Sequence, residues 1–181
     1  MKTIKKEPNP SIKNSGQVIV ILPDIRSAEN VGSIFRTSEA LGVDQIVLGG
    51  ITPDPTDRFN RPNSKIAKTA LGAEKTISWT HCNSLGARFT RLKKAGYTLV
   101  GIEQDVRSVD YKKIKNTNKM VFVMGNEVEG LPKNILDKMD IIAEIPMRGE
   151  LARNRPIGDT GKESLNVSVS FGVALFRILN K

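Results

Sequence analysis

The chain has 181 residues, 39% of them hydrophobic, which is enough for one compact α/β core but short for two domains. Its formal net charge of +9 favours a polyanion such as a nucleic acid as the macromolecular partner. A single cysteine, Cys82, and a single histidine, His81, exclude a disulfide framework and argue against a zinc site, so we expect no metal.

The N-terminal segment, residues 1–16, is basic and contains no apolar run. This is not the pattern of a signal peptide or a membrane anchor, so we expect a flexible basic tail on a cytoplasmic protein that does not bind membranes. Residues 17–181 contain neither a linker nor an internal repeat. We therefore expect them to form a single domain.

Short apolar runs alternate with helical patterns along the chain, and this order predicts an α/β fold with a mostly parallel sheet covered by helices on both faces. Strands are predicted at Gln17–Leu22, Gln45–Leu48, Lys75–Trp79, Tyr97–Ile102, Met120–Met124 and Ile141–Ile145. Helices are predicted at Val31–Leu41, Ser64–Leu71, Asn83–Ala95, Pro132–Met139 and Ser164–Leu179.

The first predicted helix carries a glycine and an arginine off its apolar stripe. Gly32 and Arg36 are four residues apart, and a helical side chain covers the turn before it, so Arg36 is predicted to extend over Gly32 toward the helix N-terminus. A bare glycine beneath a guanidinium group predicts a place where a phosphate can approach. A solvated surface arginine is the alternative.

A turn-rich segment follows the second predicted strand and leads into four cations. These are Arg58, Arg61, Lys65 and Lys68. Ligand sites in open α/β sheets lie beyond the carboxyl ends of the strands, so we expect these side chains to bind the phosphates of a nucleic acid, although a solvated charge run has the same composition. Aromatic residues make up only 5% of the chain, which predicts little base stacking.

The closing helix is predicted to start with a polar turn. Ser164-Leu165-Asn166 is a helix-start pattern, and the residues that follow are apolar on nearly every face. Such a helix is buried in the fold or against a partner subunit. Its polar first turn is therefore expected to face a site.

Three separated segments form a recognisable set. They are Asn30-Val31-Gly32 with Arg36-Thr37 and Gly42, Gly125-Asn126-Glu127 through Gly130-Leu131 to Ile145-Pro146-Met147, and Ser164-Leu165-Asn166-Val167-Ser168. Together they resemble the SpoU, or TrmH-like, family of the SPOUT RNA methyltransferases, over Gln17 to Leu179. The resemblance implies a C-terminal deep trefoil knot, S-adenosylmethionine as the cofactor and a homodimer. The absence of a G-x-G-x-x-G motif, which disfavours a conventional dinucleotide site, agrees with it.

The resemblance also implies a reaction, the transfer of a methyl group to a ribose 2′-hydroxyl of tRNA or rRNA. We favour tRNA, because a small single domain with positive charge around its site suits a compact folded RNA that is recognised by shape and phosphates. The resemblance implies catalytic roles for Arg36, Asn30, Glu127, Ser164 and Asn166, and cofactor contacts for Gly125, Ile145, Met147 and Leu165. Because an arginine side chain is almost always protonated at neutral pH, Arg36 either takes the hydroxyl proton in an unusual local field or orients the hydroxyl and a neighbouring phosphate.

Two other functions fit the same motifs. One is a non-catalytic RNA-binding or assembly factor that has kept the fold, against which the intact Arg36, Glu127 and Asn166 count. The other is an RNA methyltransferase that modifies a base. The chain also departs from the family pattern, since an extra stretch, Glu150–Glu163, separates the second motif from the third. It is expected to be either a lid over the cofactor or a neutral surface excursion.

Overall fold

The computed structural model describes residues 17–149 and 164–180. Its strands are β1 (Gln17–Pro23), β2 (Gln45–Gly49), β3 (Ser78–Cys82), β4 (Thr98–Ile102), β5 (Val109–Asp110), β6 (Lys119–Met124) and β7 (Ile141–Glu144). Its helices are α1 (Ala28–Leu41), α2 (Ser64–Ala70), α3 (Ala73–Thr76), α4 (Leu85–Lys94), α5 (Lys133–Leu136) and α6 (Val167–Leu179), with a 3₁₀ turn at Tyr111–Lys113. Among these helices, none has the length and apolar character needed to cross a lipid bilayer.

The strands form one parallel sheet in the order β3-β2-β1-β6-β4-β7-β5. Alternate residues of the central strands face opposite sides, because successive side chains of a strand point in opposite directions. On one side, Val20 and Leu22 join the core beneath α1, α2, α3 and α6, and on the other, Ile19 and Ile21 join the core beneath α4 and α5. The predicted parallel α/β fold with helices on both faces is therefore confirmed.

Five of the six predicted strands are confirmed to within one residue at each end. The sixth, Lys75–Trp79, was wrong, because Ala73–Thr76 forms the short helix α3 and the strand begins only at Ser78. Two left-handed residues, Leu71 (φ 52°) and Gly72 (φ 98°), end α2 and redirect the chain into α3. The two-residue strand β5 was not predicted.

The bounds of the first and last helices differ from the prediction because of their caps. α1 begins three residues earlier than predicted, because the Ser27 hydroxyl accepts a hydrogen bond from the Asn30 amide and caps the helix there. α6 begins at Val167 rather than Ser164, since Asn166 is its capping residue. The predicted tail at 1–16, the stretch Glu150–Glu163 and with it the path of the implied knot lie outside the described residues.

Candidate functional site

A chain of polar side chains joins the loop after β6 to the starts of α1 and α6. The Glu127 carboxylate accepts a hydrogen bond from the Asn30 side-chain amide, with an Oε1–Nδ2 distance of 2.8 Å. The side-chain oxygen of Asn30, Oδ1, in turn accepts a hydrogen bond from the Asn166 side-chain amide at 3.0 Å. Asn166 Oδ1 accepts from the Ser168 amide at 2.9 Å and from its hydroxyl at 2.6 Å. We call these four residues the Glu127 network.

The start of α1 fixes one end of the Glu127 network. The backbone amides of Arg26 and Ser27 donate to the Glu127 carboxylate at 3.2 and 3.3 Å. They immediately precede the helix, so the carboxylate lies beside the positive end of the helix dipole. Parallel strands end at the same edge, and the loop after β6 therefore meets the loop after β1 at the carboxyl edge of the sheet.

Opposing influences act on the Glu127 carboxyl group. Partial burial raises its pKa, but hydrogen bonds from Asn30 and from the amides of Arg26 and Ser27 lower it by more, so the net pKa is below the ordinary value. The side chain is therefore an ionised acceptor at neutral pH. An ionised acceptor holds the donor end of Asn30 toward itself and turns the Asn30 carbonyl oxygen toward Asn166.

Arg36 lies apart from the Glu127 network. Its side chain is exposed and makes no hydrogen bond or ion pair with the residues of 17–149 and 164–180. The predicted opening over Gly32 was wrong, because a Cβ at Gly32 would overlap the Thr69 hydroxyl and the Ile66 carbonyl of α2. Gly32 is buried where two helices cross, so no anion reaches its Cα.

The other predicted catalytic residue, Ser164, is exposed ahead of α6 and has no hydrogen bond with the described part of the chain. The structure therefore joins Asn30, Glu127 and Asn166 and leaves Arg36 and Ser164 outside the Glu127 network. Ser168 lies in the third motif, but the sequence assigned it no role. Its position at the second residue of a helix capped by Asn166 was the available signal.

The predicted cofactor residues lie on the loops after β6 and β7 and ahead of α6. Gly125 is buried, whereas Ile145, Met147 and Leu165 are half-buried. Met147 and Leu165 make no hydrogen bond with other residues of the described ranges, so no partner within those ranges occupies their backbone groups. Half-buried apolar side chains beside such backbone groups suit a ligand held by apolar contact and main-chain hydrogen bonds.

Sequence reasoning also missed Glu103, the residue that follows β4. Its carboxylate accepts hydrogen bonds from the amides of Leu131 at 2.7 Å and Gln104 at 2.9 Å. Burial raises its pKa, although those two hydrogen bonds act in the opposite direction. A Cβ at Gly125 would overlap this carboxylate, so the glycine is needed for the loop after β6 to close on Glu103. The position of Glu103 directly after β4, at the carboxyl edge of the sheet, was the sequence signal that could have identified it.

The four predicted cations are all exposed, on a segment that runs from the end of β2 into α2. Arg58 and Arg61 lie on a turn closed by a bridge between Thr56 and Pro62. Lys65 and Lys68 lie on α2, and Lys65 Nζ is 3.6 Å from Glu29 Oε1. Glu29 directly precedes Asn30, so the basic segment adjoins the start of α1 and the Glu127 network.

Two named proteins align with most of this chain at 28% identity. The chain is 28% identical over 169 residues to a protein of Staphylococcus haemolyticus named as a TrmH family tRNA/rRNA methyltransferase, covering 93% of this chain and 61% of that protein. It is 28% identical over 179 residues to a tRNA/rRNA methyltransferase of Borreliella burgdorferi that carries no more specific name, covering 98% of this chain and 67% of that protein. The chain thus spans 61% to 67% of the length of these two relatives.

Solved structures share the fold. The AdoMet-bound rRNA methyltransferase from Sinorhizobium meliloti matches with a TM-score of 0.72 at 29% identity, over 90% of this chain and 55% of that one. The TrmH/SpoU tRNA-modifying enzyme from A. aeolicus matches with a TM-score of 0.72 at 24% identity, over 89% of this chain and 73% of that one. At that identity the match establishes only that the two chains have the same fold. A model of the SpoU rRNA methylase family matches residues 17–176, and the chain belongs to that family.

Proposed function

We propose that this protein is an S-adenosylmethionine-dependent RNA methyltransferase that modifies a ribose 2′-hydroxyl of tRNA or rRNA. The observation that carries the proposal is the Glu127 network. Asn30, Glu127 and Asn166 come from three distant parts of a SpoU-family chain and are joined at the carboxyl edge of the sheet by hydrogen bonds of 2.8 and 3.0 Å. Apolar packing would be enough to hold these three segments together at the edge of the sheet. Three polar side chains joined by hydrogen bonds at that place therefore support a chemical role.

The cofactor fits the residues that surround this edge. S-adenosylmethionine supplies a methyl group that its sulfonium makes electrophilic. Gly125, Ile145, Met147 and Leu165 would hold it, and the half-buried side chains of Met147 and Leu165, whose backbone groups have no partner within the described ranges, support that assignment. The Sinorhizobium meliloti structure of the same fold was determined with AdoMet bound.

Within this proposal the chain's own residues bind and orient the RNA. Asn30 and Asn166, held by Glu127 and Ser168, fix the polar surface on which the reacting nucleotide rests. Arg36 is exposed and has no ion pair with described residues, so its guanidinium group can clamp a phosphate with two hydrogen bonds and bring the 2′-hydroxyl into line. Ser164 would complete the polar rim ahead of α6.

We favour tRNA over rRNA as the substrate. Arg58, Arg61, Lys65 and Lys68 are exposed beside the start of α1, and charges distributed around a small site suit a compact folded RNA that is recognised by shape and phosphates. Since the proposed substrates are RNAs of the translation apparatus, we propose the cytoplasm as the compartment. The non-catalytic factor and the base methyltransferase are the alternatives to be tested.

We also propose a homodimer. One stripe of α6, which includes Phe171 and Ile178, is buried in the core, as expected. The other stripe is exposed, with Val169 48%, Val173 40% and Phe176 47% accessible. An apolar stripe at helical spacing on the closing helix supports burial against a second copy of the chain.

The proposal is tested by incubating the protein with methyl-labelled S-adenosylmethionine and total RNA and then digesting the RNA to nucleosides. We expect the label in 2′-O-methyl nucleosides. Label in the bases would refute the ribose assignment and favour base methylation. If calorimetry detects no cofactor binding even in the presence of RNA, the non-catalytic factor is favoured instead.

Replacing the proposed phosphate clamp, Arg36→Ala, should lower methyl transfer roughly 100-fold or more, since a preorganised donor at a reacting centre contributes on that order. Cofactor affinity, measured by calorimetry, should stay unchanged because Arg36 is not among the residues assigned to the cofactor. Arg36→Lys keeps the charge but not the two-pronged hydrogen bond and should remain strongly impaired. Full activity of Arg36→Ala would show that this residue has no catalytic role.

A further inference from the structure

We propose that Phe59 stacks on an unpaired nucleobase of the RNA substrate. The inference rests on the proposed function and deepens it, because it adds a base contact to a segment otherwise expected to contact phosphates. Phe59 lies at the tip of the 56–62 turn, between Arg58 and Arg61.

Phe59 is the most accessible aromatic side chain of this protein. All nine aromatic residues lie in the described ranges, and four of the six phenylalanines are buried in the core: Phe35, Phe89, Phe122 and Phe171. The other exposed phenylalanine, Phe176, lies on the apolar stripe of α6 that we assign to a second subunit. Phe59 is 61% exposed and has no such stripe beside it. A large apolar ring left in water within a basic segment suggests a ligand that covers it.

The turn that carries Phe59 is ordered by one carboxylate. Asp57 Oδ1 accepts hydrogen bonds from the amides of Phe59 at 2.8 Å and Arg61 at 2.9 Å. Asp57 Oδ2 accepts from Arg61 Nε at 2.7 Å, and Asn60 takes the left-handed conformation, with φ 61°, that a tight turn requires. The backbone that carries the ring is therefore ordered before the ligand arrives, which lowers the entropy lost on binding.

Two guanidinium groups flank the ring. The guanidinium carbon of Arg58 lies 4.7 Å from the ring centroid, and that of Arg61 lies 5.2 Å from it. Arg61 is paired with Asp57, but Arg58 has no hydrogen bond or ion pair within the described ranges and can take a phosphate. A planar aromatic face next to planar cations is the combination that grips single-stranded nucleic acid, the ring contacting a base and the cations its backbone.

The turn projects from the same edge of the sheet as the Glu127 network. β2 leads into the turn and β6 leads into Glu127, and the two strands run parallel on either side of β1. Lys65, which follows the turn, contacts Glu29 at the start of α1. A nucleotide whose base stacks on Phe59 would therefore belong to the RNA strand that enters this edge. Solvation of a run of charged residues does not account for an exposed phenylalanine at its centre.

The test compares two fluorescein-labelled RNAs, a single-stranded oligouridylate of ~12 nucleotides and a blunt-ended duplex of the same length, chosen to exceed the few nucleotides that one site covers. Phe59→Ala and Phe59→Leu should weaken binding of the single strand about five- to tenfold, since both remove the aromatic face and the second retains apolar bulk. Phe59→Tyr should bind like the wild type. Affinity for the duplex, whose bases are already stacked, should not change.

Val106→Ala is the matched control, because Val106 is fully exposed at 102% and lies outside the basic segment, and it should leave both affinities unchanged. In Phe59→Trp, fluorescence should be quenched as oligouridylate is added, against the constant signal of the half-buried Trp79. Equal affinities of the wild type, Phe59→Ala and Phe59→Leu for the single strand would overturn the proposal. So would equal losses for single strand and duplex.

The two proposals can fail separately. Methyl transfer to total RNA by the wild-type protein reports on the proposed function and does not depend on the Phe59 variants. If transfer occurs and the Phe59 variants bind oligouridylate normally, stacking is wrong and the methyltransferase stands. If no transfer occurs but the variants lose single-strand binding selectively, the base contact stands and the methyltransferase is wrong.

Discussion

Helix α1 packs against α2 through backbone atoms and against α6 through side chains. The first contact lies beside the basic segment and the second beside the Glu127 network. Toward α2 the contact is a close crossing, in which a Cβ at Gly32 would overlap Thr69 and Ile66. Toward α6 the contact is made by side chains, since a Cβ at Gly172 would meet only Thr37 Cγ2, at 3.9 Å, while Phe171 and Leu175 are buried in the same core as α1. Backbone contact therefore holds α2 against α1, whereas the polar residues that begin α6 are joined to α1 by the side-chain hydrogen bonds of the Glu127 network.

The largest effect is expected on the α6 side, from Asn166→Asp. The new carboxylate can still cap α6 through Ser168, but it cannot donate to the Asn30 carbonyl oxygen and repels it. We expect methyl transfer to fall on the order of 100-fold, as for a small misplacement of groups at a reacting centre. The unfolding temperature should hardly change. Normal transfer by this variant would show that the link between Asn30 and Asn166 is not needed.

The close crossing is tested by Gly32→Ala, with Gly172→Ala as its matched control. The first adds a methyl group where backbone atoms of α2 already lie, and should lower the free energy of unfolding by roughly 1–3 kcal/mol. The second adds the same group at an ordinary contact distance inside a helix, and should leave stability unchanged or raise it by less than about 1 kcal/mol. Urea unfolding measures both. Equal effects would contradict the difference between the two contacts.

Lowering the pH should weaken the stabilising contribution of the Glu127 carboxylate. The lowered pKa of Glu127 means that its stabilising contribution is present above the ordinary glutamate value of 4.5 and is lost as the pH falls through the folded value. Glu103 behaves oppositely, because its raised pKa makes its contribution complete below 4.5 and lost as the pH rises through the folded value.

Urea unfolding across the range from about pH 3.5 to 7 checks both signs. Glu127→Gln should remove part of the stability loss below 4.5, and Glu103→Gln should remove part of the loss above it. Curves for the two variants that differ from the wild type in the same pH window would refute this assignment.

The smallest effect is expected from Lys65→Ala, on the α2 side. The ion pair with Glu29 is exposed and 3.6 Å long, so its removal should not measurably change stability. If Lys65 contacts a phosphate, RNA affinity should fall a few-fold and the slope of log affinity against log salt should decrease by about 1. An unchanged slope would indicate that Lys65 serves the ion pair and makes no phosphate contact.

Asn30, Glu127 and Asn166 could be predicted from the sequence because the short motifs that contain them resemble those of the SpoU family. Asn30 and Asn166 stand at helix starts and Glu127 follows a buried strand, which are positions that a single sequence reveals. No role was predicted for Glu103, or for Ser168 within its motif, since their importance depends on which loops and side chains they meet in the folded chain. The accessible face of Phe59 was likewise hidden behind a low aromatic content.

By itself the sequence determined the α/β class, the positions of the central strands, the family and the three motif residues of the Glu127 network. The class and the strands follow from apolar periodicity along the chain, whereas the family and the three motif residues follow from the resemblance of three short motifs to a known family. Only the tertiary structure decided that Gly32 lies at a helix crossing, that α3 replaces the first part of the predicted third strand, and that one stripe of α6 stays exposed. Each of these depends on which surfaces meet across the fold, and a helical or strand period does not record the partner that a surface will find.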